Sequence, residues 1–484
     1  MFQIRSLILA LGFIPLTCHS SLGAEGASHL AASHLAGSQL SILWIVPFVG
    51  LLLSIAILPL GAPRLWHHHY GKLSAAWALA FLIPYAFQFG PAVMLYELMH
   101  TAILEYLPFV ILLFALFTVA GGVLVKGNLH GSPGLNTGIL AIGASVASLA
   151  GTTGAAMLLI RPIIRANDNR IHNAHVIVFF IILVANVGGS LTPLGDPPLF
   201  LGFLKGVSFF WPTLNLLAPM LLVTAILLAA FYVLDWYLFR LDVNYPPKPD
   251  PTPDSRLAVE GWVNVGLLGL ILLAVLVSGI WKPGVKITLH DVDIELQNLF
   301  RDALLLFIAF LSWRVTPLLI RKANGYTWEP MIEVAKLFAG IFITIIPAIA
   351  ILRAGTDGAL APVVLLVTDA NGQPNNAMYF WLVGGLSSFL DNAPTYLVFF
   401  NMAGGDAEHL MGTLNTTLIA ISAGAVFMGA NTYIGNAPNF MVKAIAEERG
   451  IHMPSFFGYM LWSGAVLIPC FVLVTLIFFR SHGP

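Results

Sequence analysis

Stretches of about 20 apolar residues recur from one end of this chain to the other, and each is long enough to cross the ~30 Å hydrocarbon core of a bilayer. They fall at 41–60, 74–96, 104–125, 137–160, 173–203 and 211–239, and again at 262–281, 299–320, 331–352, 378–402, 413–440 and 455–480. A backbone inside lipid has no water to bond, so such runs must be helical. The fold class is therefore an all-α polytopic membrane protein. Composition agrees: 58% of the 484 residues are hydrophobic and 9% are charged, against about 25% charged in a soluble domain. The net charge of −1 offers no surface for nucleic acid. Cys18 and Cys470 stand far apart in apolar surroundings, which gives no disulfide framework and no cysteine metal site.

Residues 1–24 have a basic start at Arg5, a short apolar core and a small-residue end at Ala24. They read as a cleavable signal peptide or as an uncleaved first helix, and the chain reads as a multi-pass protein of the bacterial inner membrane. Between the two sets of runs lies "RLDVNYPPKPDPTPDSRLAVEG", polar and proline-rich. Residues 240–261 are thus expected to be a cytoplasmic linker between halves at 41–239 and 262–480.

Lys and Arg concentrate on cytoplasmic loops. Arg64, the histidines at 67–69 and Lys72 place the first turn inside, and "YELMHTAILEY", acidic and without Lys or Arg, places the next outside. Lys126 then precedes the run 137–160, while Arg161, Arg165 and Arg170 follow it. With both ends on one side, that run is expected to be a re-entrant hairpin with its tip at "LAGTTGAA". The run 378–402, between "TDANGQPNN" and "AGGDAEHL", is expected to be a second hairpin entering from the opposite side, its tip at "LDNAPTY". The runs 173–203 and 413–440 break into "ANVGGSLTPLGDPPLF" and "GANTYIGNAPNF". Each half is then three spans, a hairpin, a broken helix and a closing span, in opposite orientation. The motifs pair as well: Thr152 and Thr153 over Asp391 and Asn392, Gly195-Asp196 over Gly435-Asn436, and Pro198 over Pro438.

Interrupted spans at matching places in two inverted halves mark a transporter's midplane site. Asn186, Thr192, Asn431, Thr432, Asn436, Thr152, Thr153 and Asn392 supply the side-chain oxygens that hard cations such as sodium use, and exposed backbone carbonyls add more. Gly151, Gly154, Gly188, Gly189, Gly195, Gly435 and Pro394 are the expected hinge and backbone positions. Asp196 and Asp391 contribute one carboxylate from each half, so sodium is expected in the Asp196/Asp391 region. A carboxylate facing a small, partly dry cavity holds either a proton or a cation but not both, which is the minimal chemistry of proton-coupled exchange. The competing reading, in which these residues only kink or pack helices, suits one interrupted helix better than a repeated, aspartate-bearing set.

"NVGGSLTPLGDPPLF" and "SSFLDNAPTYL" closely resemble the paired motifs of the ion transporter superfamily, particularly its NhaD-type sodium/proton antiporters, and also those of the neighbouring citrate permease group. The resemblance covers roughly 40–480. It implies a homodimer with a fixed scaffold and a moving transport domain, and it makes Asp196, Asp391 and Asn392 the transport residues. The chain departs from the NhaD pattern at Thr152-Thr153, where no acid stands, and at Pro197-Pro198. Exchange of sodium or lithium for protons by alternating access is the expected function. Uptake of citrate or a metal–citrate complex is the alternative. No cofactor is expected beyond the transported ions.

Three further features are weaker. Glu333 and Lys336, one helical turn apart, suit an ion-access relay or a structural pair near a membrane face. "WHHHYGK" suits an interfacial, pH-responsive loop better than a metal site. "PLGD" has Pro193 where a membrane aspartyl protease needs glycine, and Asp391 lies in "LDN" rather than after tyrosine, so no enzyme is expected.

Overall fold

The apolar runs become helices, and the chain turns where glycine or proline interrupts them. The computed structural model describes residues 37–242, 255–369 and 371–480. The expected signal peptide at 1–24 and the stretch 243–254 of the linker lie outside the described residues. The first half opens with α1 (Val46–Gly61) and α2 (Pro63–Phe89). α3 (Pro91–Thr101) passes through a π-helical turn at Ala102–Tyr106 into α4 (Leu107–Ala120). After β1 (Leu124–Asn128) come α5 (Pro133–Ala150) and α6 (Thr152–Ala166). α7 (Ala174–Leu183), a 3-10 turn (Val187–Leu191) and α8 (Pro197–Leu204) form a broken run, followed by α9 (Trp211–Asp242).

The second half follows. β2 (Ser255–Glu260) leads to α10 (Trp262–Ile280), a small β3 (Lys286–Leu289) and β4 (Val292–Glu295) hairpin, α11 (Leu296–Val315) and α12 (Leu318–Ala323). α13 (Glu329–Thr344) and α14 (Ile346–Arg353) form one run bent by 42°. α15 (Ala361–Leu366) precedes α16 (Asn376–Ser387), α17 (Asn392–Met402) and α18 (Ala407–Met411). α19 (Asn415–Met428), a 3-10 turn (Gly429–Asn431) and α20 (Ala437–Glu448) make the second broken run, and α21 (Phe456–Phe478) ends the described chain.

Among the described residues, eight helical runs are long and apolar enough to cross a bilayer, and the bent α13–α14 pair adds a ninth. The protein is an all-α polytopic membrane protein, in which two short strand pairs serve as connectors. Phe87, Leu214 and Leu461 are among the most exposed side chains, as a lipid-facing belt requires. The broken run sits deepest: 89% of the Ala174–Leu191 window is buried, against 28% for the window of α21. Irregular backbone at membrane depth survives only where protein surrounds it, and these helices surround it.

α5 and α6 form a true helical hairpin. Near its entry Gly131 N–H donates to Ala166 O (2.5 Å), and Arg165 Nη2 donates to Val125 O (2.9 Å), so the chain returns to where it set out. In α16 and α17 the Tyr379 and Phe399 rings meet at 6.2 Å near the open end of a second hairpin.

Several local expectations are corrected. The basic stretch 64–72 is not a turn but the start of α2; the spans separate at Ala62–Pro63, because Lys, Arg and His do not break a helix and Pro at its first position starts one. "YELMHTAILEY" is helical throughout, with the break displaced to Gly90 at φ 93°. Glu105, expected outside in that turn, is instead shielded and pairs with Lys205 (2.5 Å). Arg240 belongs to α9, and 255–260 is a strand bonded antiparallel to β1 rather than open linker. The β3–β4 hairpin was not anticipated. Its alternating "KITL" and "VDIE" and the left-handed His290 and Asp291 at its turn are the ordinary hairpin signature.

Candidate ion-binding site

The site is built where the two hairpin tips meet the two breaks. α5 stops at Gly151, whose φ of 78° ends the helix and lets α6 begin at Thr152. α16 stops before Asp391, which caps α17 by accepting from Ala393 N–H (3.0 Å). At the breaks the backbone doubles on itself. A Cβ added to Gly195 would lie 2.0 Å from Gly189 O, and one added to Gly435 would lie 2.5 Å from Gly429 O, so only glycine fits either place.

Matching bonds mesh each tip with its break. Thr192 Oγ1 donates to Ser148 O, and Thr432 Oγ1 donates to Ser388 O. The same hydroxyls accept from Leu194 N–H and Ile434 N–H, each at 3.2 Å. Thr192 and Thr432 therefore hold the break against the tip. Ser148 and Ser388, which sequence reading passed over, complete the mesh: Ser148 Oγ donates to Gly188 O (2.5 Å) and Ser388 Oγ to Met428 O (3.1 Å).

Asp196 stands at the centre. It is 2% exposed and occupies the N-cap of α8. Its Oδ1 accepts from Thr152 Oγ1 (2.9 Å) and Asn436 Nδ2 (3.1 Å), and its Oδ2 accepts from Asn392 Nδ2. One donor thus comes from each hairpin tip and one from the opposite break. No Lys, Arg or His pairs with it among the described residues. Thr152 and Asn392 begin α6 and α17, while Asp196 and Asn436 cap α8 and α20, so four helix N-termini converge on one carboxylate and offset its charge. The opposed ends of α5, α7, α16 and α19 bring terminal carbonyls to the same region.

Asn186 is one step removed. Its Oδ1 accepts from Asn436 Nδ2 (3.2 Å), and its Nδ2 donates to Ile181 O (2.8 Å) and Asn439 Oδ1 (2.7 Å). Asn439 in turn donates to Gly429 O and Thr432 O. It was missed, although a lone Asn after "GNAP" in an apolar helix was the available signal. Among the described residues the buried side-chain oxygens of Asn392 and Asn431 have no hydrogen-bond partner, which leaves two acceptor atoms for a cation or water. Asn431 Nδ2 meanwhile donates to Ser388 Oγ (2.8 Å).

Asp391 is placed differently from Asp196. It caps its own helix, and no hydrogen bond joins the two carboxylates; Asn392 makes that link. Pairing by helix starts also shifts the hairpin alignment by one. Asn436 lies 240 residues after Asp196, and the same interval joins Ser148 to Ser388 and Thr192 to Thr432. Thr152 therefore corresponds to Asn392, and Gly151 to Asp391.

A cleft reaches this site between α4 and α13 on one wall and the first tip, first break and α20 on the other. Phe117 and Met331 face Thr152, Thr153, Asp196 and Met441 across it, and among the described residues no Lys, Arg or His lines it. Gly151, Gly154 and Gly195 lie in its wall, whereas Asp391 and Asn392 do not. Pro394 is buried in the first turn of α17, and Gly188 packs on the backbone of Ala144. Glu333 and Lys336 do not pair with each other. Glu333 meets the Trp66 indole and faces His67, and the Lys336 ammonium lies 5.4 Å from the centre of the Tyr70 ring, both on the side of α13 that packs on α2. Neither lines the cleft.

Beneath the first hairpin lies a buried charge network with no sequence signal. Asp235 of α9 meets Arg170 (2.5 Å), His175 (2.8 Å) and Asn136 (2.9 Å), tying the hairpin base to α7 and α9.

A helical membrane protein with broken spans meshed around a buried acid beside a cleft belongs to the transporters. The chain belongs to the family described as "Putative citrate transport", which it matches over residues 37–479. It is similar to an uncharacterized transporter of Mycobacterium bovis and to one of Mycobacterium tuberculosis. Each is 25% identical over 321 residues, covering 64% of this chain and 68% of the relative.

Proposed function

We propose that the protein exchanges sodium or lithium for protons by alternating access, with Asp196 as the group that carries one or the other. The observation that carries this reading is a buried carboxylate on the wall of a cleft, held among the described residues by neutral donors alone. An unpaired buried charge is costly, and either a proton or a small cation removes the cost. The free oxygens of Asn392 and Asn431 and the helix-end carbonyls are suitable further ligands. Asp391 supports the site through Asn392 rather than by direct contact. The matched meshes of tip and break support two inverted repeats, 41–239 and 262–480, with re-entrant hairpins and opposite orientation. A homodimer in the bacterial inner membrane completes the reading.

Uptake of citrate as a metal complex is the second reading. The family description favours it, and so does the cleft wall, where the first turns of α6 and α20 present positive helix ends suited to carboxylates once a metal offsets Asp196. Proteoliposomes decide between them. Under the first reading a sodium pulse expels protons without citrate, and Asp196→Asn abolishes the response. Proton movement that requires citrate would overturn that reading in favour of the second.

A further inference from the structure

The cleft extends along α4 from Phe109 to Phe117, and its two ends are finished differently. Toward Phe117 and Lys126 its lining is Met331, Met441 and other apolar groups. At the start of α4 it is lined by Phe109 from one wall and Phe200 of α8 from the other. Just beyond them Glu105, in the π-helical turn, pairs with Lys205, which follows the last residue of α8. Glu105 is one turn before Phe109, and Lys205 stands roughly 13 Å along α8 from Asp196. The ion pair thus joins the two walls past the aromatic side chains.

Behind Phe200 polar groups return. The Arg301 guanidinium of α11 lies 5.8 Å from the centre of the Phe200 ring, and Arg301 is 1% exposed. It donates to Asp302 (2.8 Å) and Asn298 (3.1 Å), yet among the described residues its Nη2 has no hydrogen-bond partner, and neither has buried Gln297 Oε1. Gln297 Nε2 donates to exposed Glu295 (2.6 Å). A file of polar groups therefore leads from Phe200 to the surface, with one donor and one acceptor open to water or solute. A shielded ion pair contributes little net stability, but losing one partner strands the other charge. Such a pair suits a latch that opens and recloses. Its acid sits in a π-helical turn, an uncommon geometry found often at functional sites.

We propose that Phe200 and the Glu105–Lys205 pair form a gate that closes the cleft at the start of α4, with Arg301 and Gln297 lining the way beyond. The inference rests on the alternating access proposed above, and not on which solute is carried.

The test is thiol labelling of the full-length protein in vesicles of both orientations, with Cys18 and Cys470 replaced by alanine and Leu113→Cys placed in the cleft. With the gate intact, an impermeant maleimide should reach position 113 mainly from the face that labels Lys126→Cys. Glu105→Gln should raise labelling from the opposite face about tenfold, the change in open population expected when one partner of the pair is lost. Phe200→Ala should do the same, and the exchanged pair Glu105→Lys/Lys205→Glu should return the rate toward the original. Should Glu105→Gln not fold, Glu105→Cys/Lys205→Cys carries the comparison: bridging the two thiols with a short cleavable reagent should stop transport, and reductant should restore it. Opposite-face labelling unchanged in both single variants overturns the gate. An equal rise from both faces, the mark of loosened packing, overturns it too, as does full transport by the bridged protein. Labelling reads the gate whatever the solute, so its failure and the failure of sodium–proton exchange are separate results.

Discussion

Asn392 donates its amide hydrogen to Asp196, joining the tip of the second hairpin to the break of the first half. Thr152 makes the corresponding contact from the first tip. The carboxylate is the point at which both hairpins are tied together, so a change in its charge is felt by both.

Asp196→Asn should abolish cation-driven proton release, since an amide neither releases a proton nor supplies charge. Folding should survive. The new amide can keep the bonds from Thr152 and Asn436 on its oxygen, and Asn392 can turn its unused oxygen toward the new nitrogen. Size-exclusion profile and thermal unfolding of the purified variant check the fold. Normal transport by this variant would remove the carboxylate from the mechanism.

Asn392→Ala removes one donor to the charged oxygen and one free ligand oxygen. A hydrogen bond to a charged group contributes about 1.5–3 kcal/mol, so apparent sodium affinity should fall about tenfold or more. Asn439→Ala, whose bonds reach Gly429 O, Thr432 O and the Asn186 amide rather than Asp196, should lower thermal stability more than affinity. Flux measured against sodium concentration, beside melting curves, separates the two.

Proton and cation compete for one carboxylate in this scheme, which fixes the sign of the pH effect. Lowering the pH should raise the apparent sodium Kd, and raising the pH should lower it until the carboxylate is fully ionised. A sodium Kd constant across pH 5.5–8.5, or one falling with acid, would count against a shared site.

Gly195→Ala should prevent stable folding, because its Cβ meets the backbone oxygen of Gly189 at 2.0 Å and neither strand of the break can withdraw. Gly435→Ala should behave similarly. Gly266→Ala in α10, where a Cβ meets nothing within 4 Å, is the control and should be neutral or slightly stabilising. Yield and melting temperature in detergent are the readouts.

The proposed inverted repeat predicts labelling. Cysteine at Lys126 or Asp168 should react from one face of the membrane, and cysteine at Asn371 or Glu408 from the other. Reaction of all four from one face would leave two hairpins of the same orientation and end the inversion.

Much of this was legible because bilayer physics writes itself into sequence. Apolar runs located the spans, and "GGSLTPLGD" located the deepest break, since a carboxylate and three glycines interrupt a run for few reasons. The alignment of Thr152 with Asp391 went astray because it matched polar character, whereas position in the fold follows the first residue of the second helix, which pairs Thr152 with Asn392. The helical state of 64–72 was hidden because a charged helix end and a charged turn have the same composition. Asp235, Arg170 and His175 were invisible because His175 and Asp235 lie 60 residues apart, and only tertiary packing brings them together.

From Thr152 to Asp196 is 44 residues; from Ser388 to Thr432 is 44 again. Each half therefore behaves as a measured span of chain whose two ends must arrive in register, like teeth cut at a fixed pitch. The connecting loop between hairpin and break, ordinarily the most forgiving place to lengthen a protein, is here constrained by count. A residue inserted after Asn169 or Asp406 would disturb only a local turn or cap, yet it would present the wrong teeth to each other. Engineering of this scaffold can alter what those loops are made of far more freely than how long they are.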